Sequence, residues 1–152
     1  MERTIVIENG DENIEIPVKA SMGSLSLYRA TFNEDLIRDL NEIYRKLHPD
    51  PFMDAMQRAK LNPNQMDQEA LASAILENVD YSTLDDESVL PDGGIQMKAL
   101  QIVWAMAKTA DDSLGKFEKW CDRFEFLPIR GMVDCCHEIW QKANATTVKI
   151  KN

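Results

Sequence analysis

The run Asp134-Cys135-Cys136-His137, with Cys121 upstream, holds the residue types that bind zinc or supply a nucleophile. A zinc site needs several ligands that converge, usually paired about two to four residues apart. On one helix, neighbouring positions point about 100° apart, so adjacent ligands diverge. Cys121 and Cys136 therefore read as small apolar side chains on helical stripes. A Cys135 or Cys136 nucleophile with His137 or His48 as base lacks a glycine-framed nucleophile turn and an oxyanion motif. Gly93-Gly94 precedes a helix, but without the lysine and Ser or Thr of a phosphate loop and without a preceding strand, so it reads as a loop hinge. No catalytic, metal or cofactor residue is expected, and the chain reads as non-enzymatic.

The elements around these residues follow from patterning. Thr4–Glu8 and Ile14–Val18 are β-branched runs separated by a segment containing Asn9-Gly10, which predicts a hairpin. Ile14, Ile16 and Val18 share one face, and Pro17, which has no N–H to donate to a ladder, suits an edge. Two strands alone are marginal in water, so the hairpin must pack on helices. Ser24 is placed to cap a helix ending near Phe32 and Asn33 to cap the next, whose stripe is Leu36, Ile37, Leu40, Ile43, Tyr44 and Leu47. The charges opposite, Glu34, Asp35, Arg38, Asp39, Glu42, Arg45 and Lys46, read as a solvated face, and Pro49 ends the helix.

Asp50-Pro51 and Asn62-Pro63 predict helices over 51–60 and 63–79. The acidic, aperiodic stretch from Asp80 to Gly94 reads as a mobile connector. Beyond it, three apolar stripes predict three helices forming one core: Met97, Leu100, Val103, Trp104 and Ala107; then Phe117, Trp120, Cys121 and Phe124; then Ile129, Met132, Val133, Cys136, Ile139 and Trp140. Met97, Met106 and Met132 read as core fillers. Exposed methionine would be most telling at Met53, Met56 and Met66, where the period is less decisive. Residues 146–152 alternate like a strand or fray. The expected fold is α+β and mainly α, a hairpin packed on a bundle of about five to six helices. It forms a single domain over 1–152, with the hairpin at 1–20, helices over 24–79, the connector at 80–94 and helices over 95–143.

Net charge is −9, and it is uneven: residues 1–90 carry 18 acidic and 8 basic side chains, residues 91–152 carry 8 and 9. Without a basic stripe, direct nucleic-acid binding is disfavoured. Three cysteines, two of them adjacent, form no disulfide framework and fit a reducing compartment. No run of about 18 apolar residues suggests a membrane span, and the N-terminus lacks the apolar core of a signal peptide.

Lys19–Leu25 leading into Tyr28-Arg29 and Phe32–Leu40, followed much later by Trp104–Asp111 and Phe117–Trp120, resembles the tail assembly chaperones of long-tailed phages and of prophages in Gram-positive bacteria. The likeness covers the hairpin, the first two helices and the C-terminal helical region; residues 50–95 are individual to this chain. The resemblance implies a non-enzymatic protein of the host cytoplasm, not expected in the mature virion. It would bind the tape measure protein, keep it soluble, help recruit tail-tube subunits and self-associate, with no cofactor and no contact with nucleic acid or membrane. Such a holdase needs apolar grooves and many modest contacts rather than one deep pocket. Tyr28, Leu36, Leu40, Met53, Met56, Trp104, Lys108 and Trp120 are the candidate partner-binding residues. Two other readings compete. A structural tail terminator or connector would persist in the particle, and an acidic mimic of nucleic acid would need carboxylates such as Asp35, Asp39, Glu42 and those of 80–87 on one face.

Overall fold

The computed structural model describes residues 1–79 and 90–151. Most of the expected connector, residues 80–89, lies outside the described residues. Within them the fold is α+β and mainly α: an antiparallel hairpin of β1 (Glu2–Asn9) and β2 (Glu12–Lys19), then seven α-helices. These are α1 (Met22–Phe32), α2 (Leu36–Leu47), α3 (Pro51–Arg58), α4 (Gln68–Asn78), α5 (Gly93–Ala110), α6 (Phe117–Cys121) and α7 (Ile129–Asn144). The chain forms two compact units, Met1–Tyr44 with Pro91–Asn152, and Arg45–Leu90. No described helix is long and apolar enough to cross a membrane.

In the first unit the hairpin closes through a two-residue turn, Gly10-Asp11, flanked by the Asn9–Glu12 pair. Gly10 adopts φ of 61° while Asp11 does not go positive, so the glycine takes the first central position, where a side chain would be strained. At the open end, Met1 and Ala20 exchange both backbone hydrogen bonds, each 2.9 Å. Antiparallel pairs alternate, so Arg3–Val18, Ile5–Ile16 and Ile7–Ile14 are the hydrogen-bonded pairs that follow. Thr4–Pro17 is a non-bonded pair, and the missing N–H of Pro17 falls on the outer edge of β2. Ile5, Ile7, Ile16 and Val18 are buried on the inner face.

That face packs on α5, which is buried around most of its circumference from Ile102 to Ala107. The expectation was a single apolar stripe. An all-round apolar helix belongs at the centre of a fold, and α5 contacts β2, α1, α6 and α7. An aromatic chain fastens it: Phe32 meets the Trp104 ring edge-on at 5.7 Å and the Phe117 ring at 5.5 Å, and Trp120 continues to Phe124 at 5.1 Å. Trp104 Nε1–H donates to the Gly115 carbonyl at 3.2 Å, so its polar end is satisfied inside. Met106 and Met132 fill the core as expected, whereas Met97 is exposed.

Several boundaries differ from expectation because one small polar residue can serve more than one cap. Helix α1 starts after Ser21, and Ser24 sits in its first turn, where its Oγ accepts from the Ser21 N–H at 3.0 Å. Asn33 does not begin α2; at φ 55° it ends α1, its N–H donating to the Arg29 carbonyl, and Asp35 accepts the Arg38 N–H. Gly93 and Gly94 are the first turn of α5, capped by Asp92, which accepts the Ile95 N–H at 2.9 Å, and are not a loop hinge.

In the second unit the expected helix over 63–79 is broken. A single tight turn, Pro63–Gln65, leads into extended backbone at Met66, after which Asp67 caps α4 by accepting the Ala70 N–H at 2.7 Å. Helix α3 starts at Pro51 as expected, with Asp50 accepting the Phe52 and Met53 N–H groups. Leu47, Pro51 and Ala55 are buried, and α4 has no buried residue.

Candidate partner-binding surface

Five of the eight candidate residues are core. Tyr28, Leu36, Leu40, Trp104 and Trp120 are all buried, so the stripes that carry them build the fold and leave almost none of these side chains to a partner. Tyr28, Trp104 and Trp120 do come together, within one aromatic cluster joined through Phe32 and Phe117. Lys108 is half-buried, and its ammonium donates to the Asp112 carbonyl at 3.0 Å, closing the C-terminus of α5. Met53 is exposed and Met56 half-buried, both in the second unit.

The charged face of α2 is not uniformly solvated, contrary to expectation. Asp39 is buried. Its Oδ2 accepts from the Tyr28 hydroxyl at 2.7 Å and lies 3.3 Å from Lys98 Nζ, and its Oδ1 lies 3.4 Å from the Arg38 guanidinium. Arg38 also pairs with Glu34. Burial, then the hydrogen bond to Asp39, pushes the Tyr28 phenol far above its ordinary range. This constellation clamps α1, α2 and α5 together, and each of its polar atoms is answered, so it is structural. It also takes Asp39 out of any acidic face that could imitate nucleic acid.

The cysteines do not form a reactive group. Cys135 is exposed, Cys136 buried and Cys121 half-buried. Burial pushes the Cys136 thiol up to about 12 and raises the other two, so at neutral pH the thiolate is disfavoured at all three. His137 stacks flat on Tyr44, ring centroids 3.7 Å apart, which joins α7 to α2. His48 belongs to the second unit. Among the described residues, no group of three His, Cys, Asp or Glu side chains is placed to hold a metal ion.

One surface with room for a partner is a groove of about 500 Å³ in the first unit. Its walls are the start of α1, the apolar side of α2 and the last turns of α7, and Leu40 forms part of the floor. Leu25, Ile37 and Trp140 line it half-buried, and Met22, 82% exposed, stands at its rim. The Trp140 indole N–H is shielded from water yet has no acceptor among the described residues. A buried donor without a partner is rare in a folded chain. Sequence reasoning assigned Trp140 to the core stripe of α7, and the period alone could not separate the last member of that stripe from a groove wall.

In the other unit Phe52, Met53 and Leu76 are exposed. No protein-family model, curated protein or solved structure matches the chain.

Proposed function

We propose that this chain is a non-enzymatic phage tail assembly chaperone that binds the tape measure protein in the host cytoplasm, keeps it soluble and helps recruit tail-tube subunits. The observation that carries the reading is the groove between α1, α2 and α7, with its unsatisfied Trp140 donor and its methionine rim. An amphipathic helix laid in such a groove buries its apolar side chains at every third or fourth position. Unbranched Met22 adapts to side chains of different shape. The groove is open to solvent, which suits many weak contacts repeated along a long client and their displacement when the tube polymerises. The exposed Phe52, Met53 and Leu76 add further apolar side chains open to a client. A net charge of −9 keeps a chain with such surfaces in solution.

The test is co-expression with a tape measure protein encoded beside this chain. The expected outcome is a rise in soluble tape measure protein that falls back with Met22→Asp, a substitution at an exposed rim position that leaves the core alone. Equal solubility with and without the chain, or recovery of the chain as a stoichiometric component of purified virions, would sink the reading.

A further inference from the structure

The hairpin has one closed edge and one open edge. On β2, Pro17 presents no N–H outward, the usual device for blunting an edge strand. On β1, the residues whose backbone groups point away from β2 are those of the non-bonded pairs: Glu2, Thr4, Val6 and Glu8. The Glu2 carbonyl is taken by the Arg3 guanidinium at 2.8 Å. Among the described residues, no hydrogen bond reaches the outward N–H and C=O groups of Thr4, Val6 and Glu8, and all three residues are exposed. The edge offers three consecutive docking positions for an added strand, and no proline guards it.

The same unit carries a segment shaped to fill it. Beyond α7, residues 146–151 have no regular structure, and Val148 and Ile150 are 92% and 89% exposed. Thr147-Val148-Lys149-Ile150-Lys151 alternates with the period of a strand. Paired on β1 in the register that sets Val148 and Ile150 opposite Ile5 and Ile7, it would place both on that face. Lys149 and Lys151 would then lie on the face that carries Glu2, Glu8 and Glu15. The charges match: residues 146–151 hold two lysines and no acid, while residues 2–19 hold five acids, Glu2, Glu8, Asp11, Glu12 and Glu15, against Arg3 and Lys19. The tail leaves α7 beside the base of the hairpin, since Ala143 and Asn144 line the same groove as Ala20 and Ser21.

We infer that two copies of this chain pair by exchanging tails, residues 146–151 of each adding as a third strand to the open β1 edge of the other. Within one chain both the tail and the edge stay unpaired; a two-fold exchange pairs both at once and closes the assembly. The rival self-pairing, β1 against β1 of the second copy, sets an acidic row against its own image. Like charges across a strand pair are unfavourable. The inference deepens the self-association contained in the chaperone reading but rests on the hairpin geometry. Oligomeric state and client solubility are separate readouts, so either can fail without the other.

Sedimentation velocity over a concentration series tests it. The full chain is expected as a dimer. A chain ending at Ala145 and the variant Val6→Pro are each expected as monomers; the proline removes only an outward N–H, as Pro17 already does on the other strand. Mixed, the two can make only one of the two strand additions, so any heterodimer is expected to be weaker than the parent dimer. Val148→Asp with Ile150→Asp, in a segment that takes no part in the core, is expected to be monomeric with the melting temperature of the chain ending at Ala145, which covers the case of Val6→Pro failing to fold. A full chain that stays monomeric, a truncated chain that still dimerises, or a ladder of growing species in place of a dimer would each overturn the exchange.

Discussion

The two units differ in how much apolar surface they enclose. In the unit built from Met1–Tyr44 and Pro91–Asn152, α5 is enclosed over Ile102–Ala107 and most of the buried apolar side chains are found, although Met22, Met97 and Phe126 face solvent. In the unit built from Arg45–Leu90, α4 buries nothing fully, and Phe52, Met53 and Leu76 face solvent. Stability scales with apolar area removed from water, so the first unit should carry the cooperative unfolding transition. The second is free to vary its surface at little cost.

The sharpest way to break this contrast is Trp104→Ala. The indole is buried among Phe32 and Phe117 and hydrogen-bonded to Gly115. Its removal is expected to cost about 3–5 kcal/mol, read as a lower denaturation midpoint at unchanged slope. A midpoint within error of the parent chain would mean that the first unit is not the stable one.

Next in size is Asp39→Ala. It leaves the Tyr28 hydroxyl without its acceptor and removes the buried carboxylate that Lys98 and Arg38 face. Because both cations are partly exposed, water recovers some of the loss, and about 1–3 kcal/mol is expected. Asp39→Asn, which keeps an acceptor for Tyr28, should recover part of it.

Asp39 also marks the limit of what was legible. The stripe of α2 showed which residues turn inward, and Leu36, Leu40, Ile43 and Leu47 are buried accordingly. Asp39 borders that stripe, three residues after Leu36 and four before Ile43, yet a charge there looks solvated in sequence; in the fold Tyr28 of α1 and Lys98 of α5 meet it. The hairpin was legible because β-branched alternation and a glycine turn are local signals. Helix starts were less so, because Ser21, Ser24, Asn33 and Asp35 are all competent caps and tertiary fit selects among them. The groove was invisible for a different reason: its walls come from three segments far apart in the chain, and Trp140 has the spacing of a core residue. The open β1 edge could be read only once the hydrogen-bonding register was known, since one residue of slip would turn the other set of backbone groups outward.

A smaller effect concerns alkaline pH. Folding raises the Cys136 thiol from 9.0 to about 12 by burial and raises the Tyr28 phenol by burial and by Asp39. Above the pH where these groups ionise in the unfolded chain, the folded state binds more protons than the unfolded one, so stability falls as pH rises. The stabilisation is complete at neutral pH and declines from about pH 9 upward. Urea midpoints across this range should fall for the parent chain and flatten for Cys136→Ala with Tyr28→Phe. A decline of equal steepness in the double variant would place its cause elsewhere.

The smallest expected change in stability is the most informative about the second unit. Phe52→Ser with Met53→Ser alters two exposed side chains in the first turn of α3, where Asp50 keeps its hydrogen bonds to the backbone of both positions. The melting temperature should therefore barely move, by an amount equivalent to about 0.5 kcal/mol or less. Under the chaperone reading, the same pair should lower the amount of tape measure protein held in solution, because removing apolar contact area weakens an interface built from many modest contacts. A loss of stability comparable to that of Trp104→Ala would show that Phe52 and Met53 pack against something, and the contrast between the two units would dissolve. Unchanged stability with unchanged client solubility would confine recognition to the groove between α1, α2 and α7.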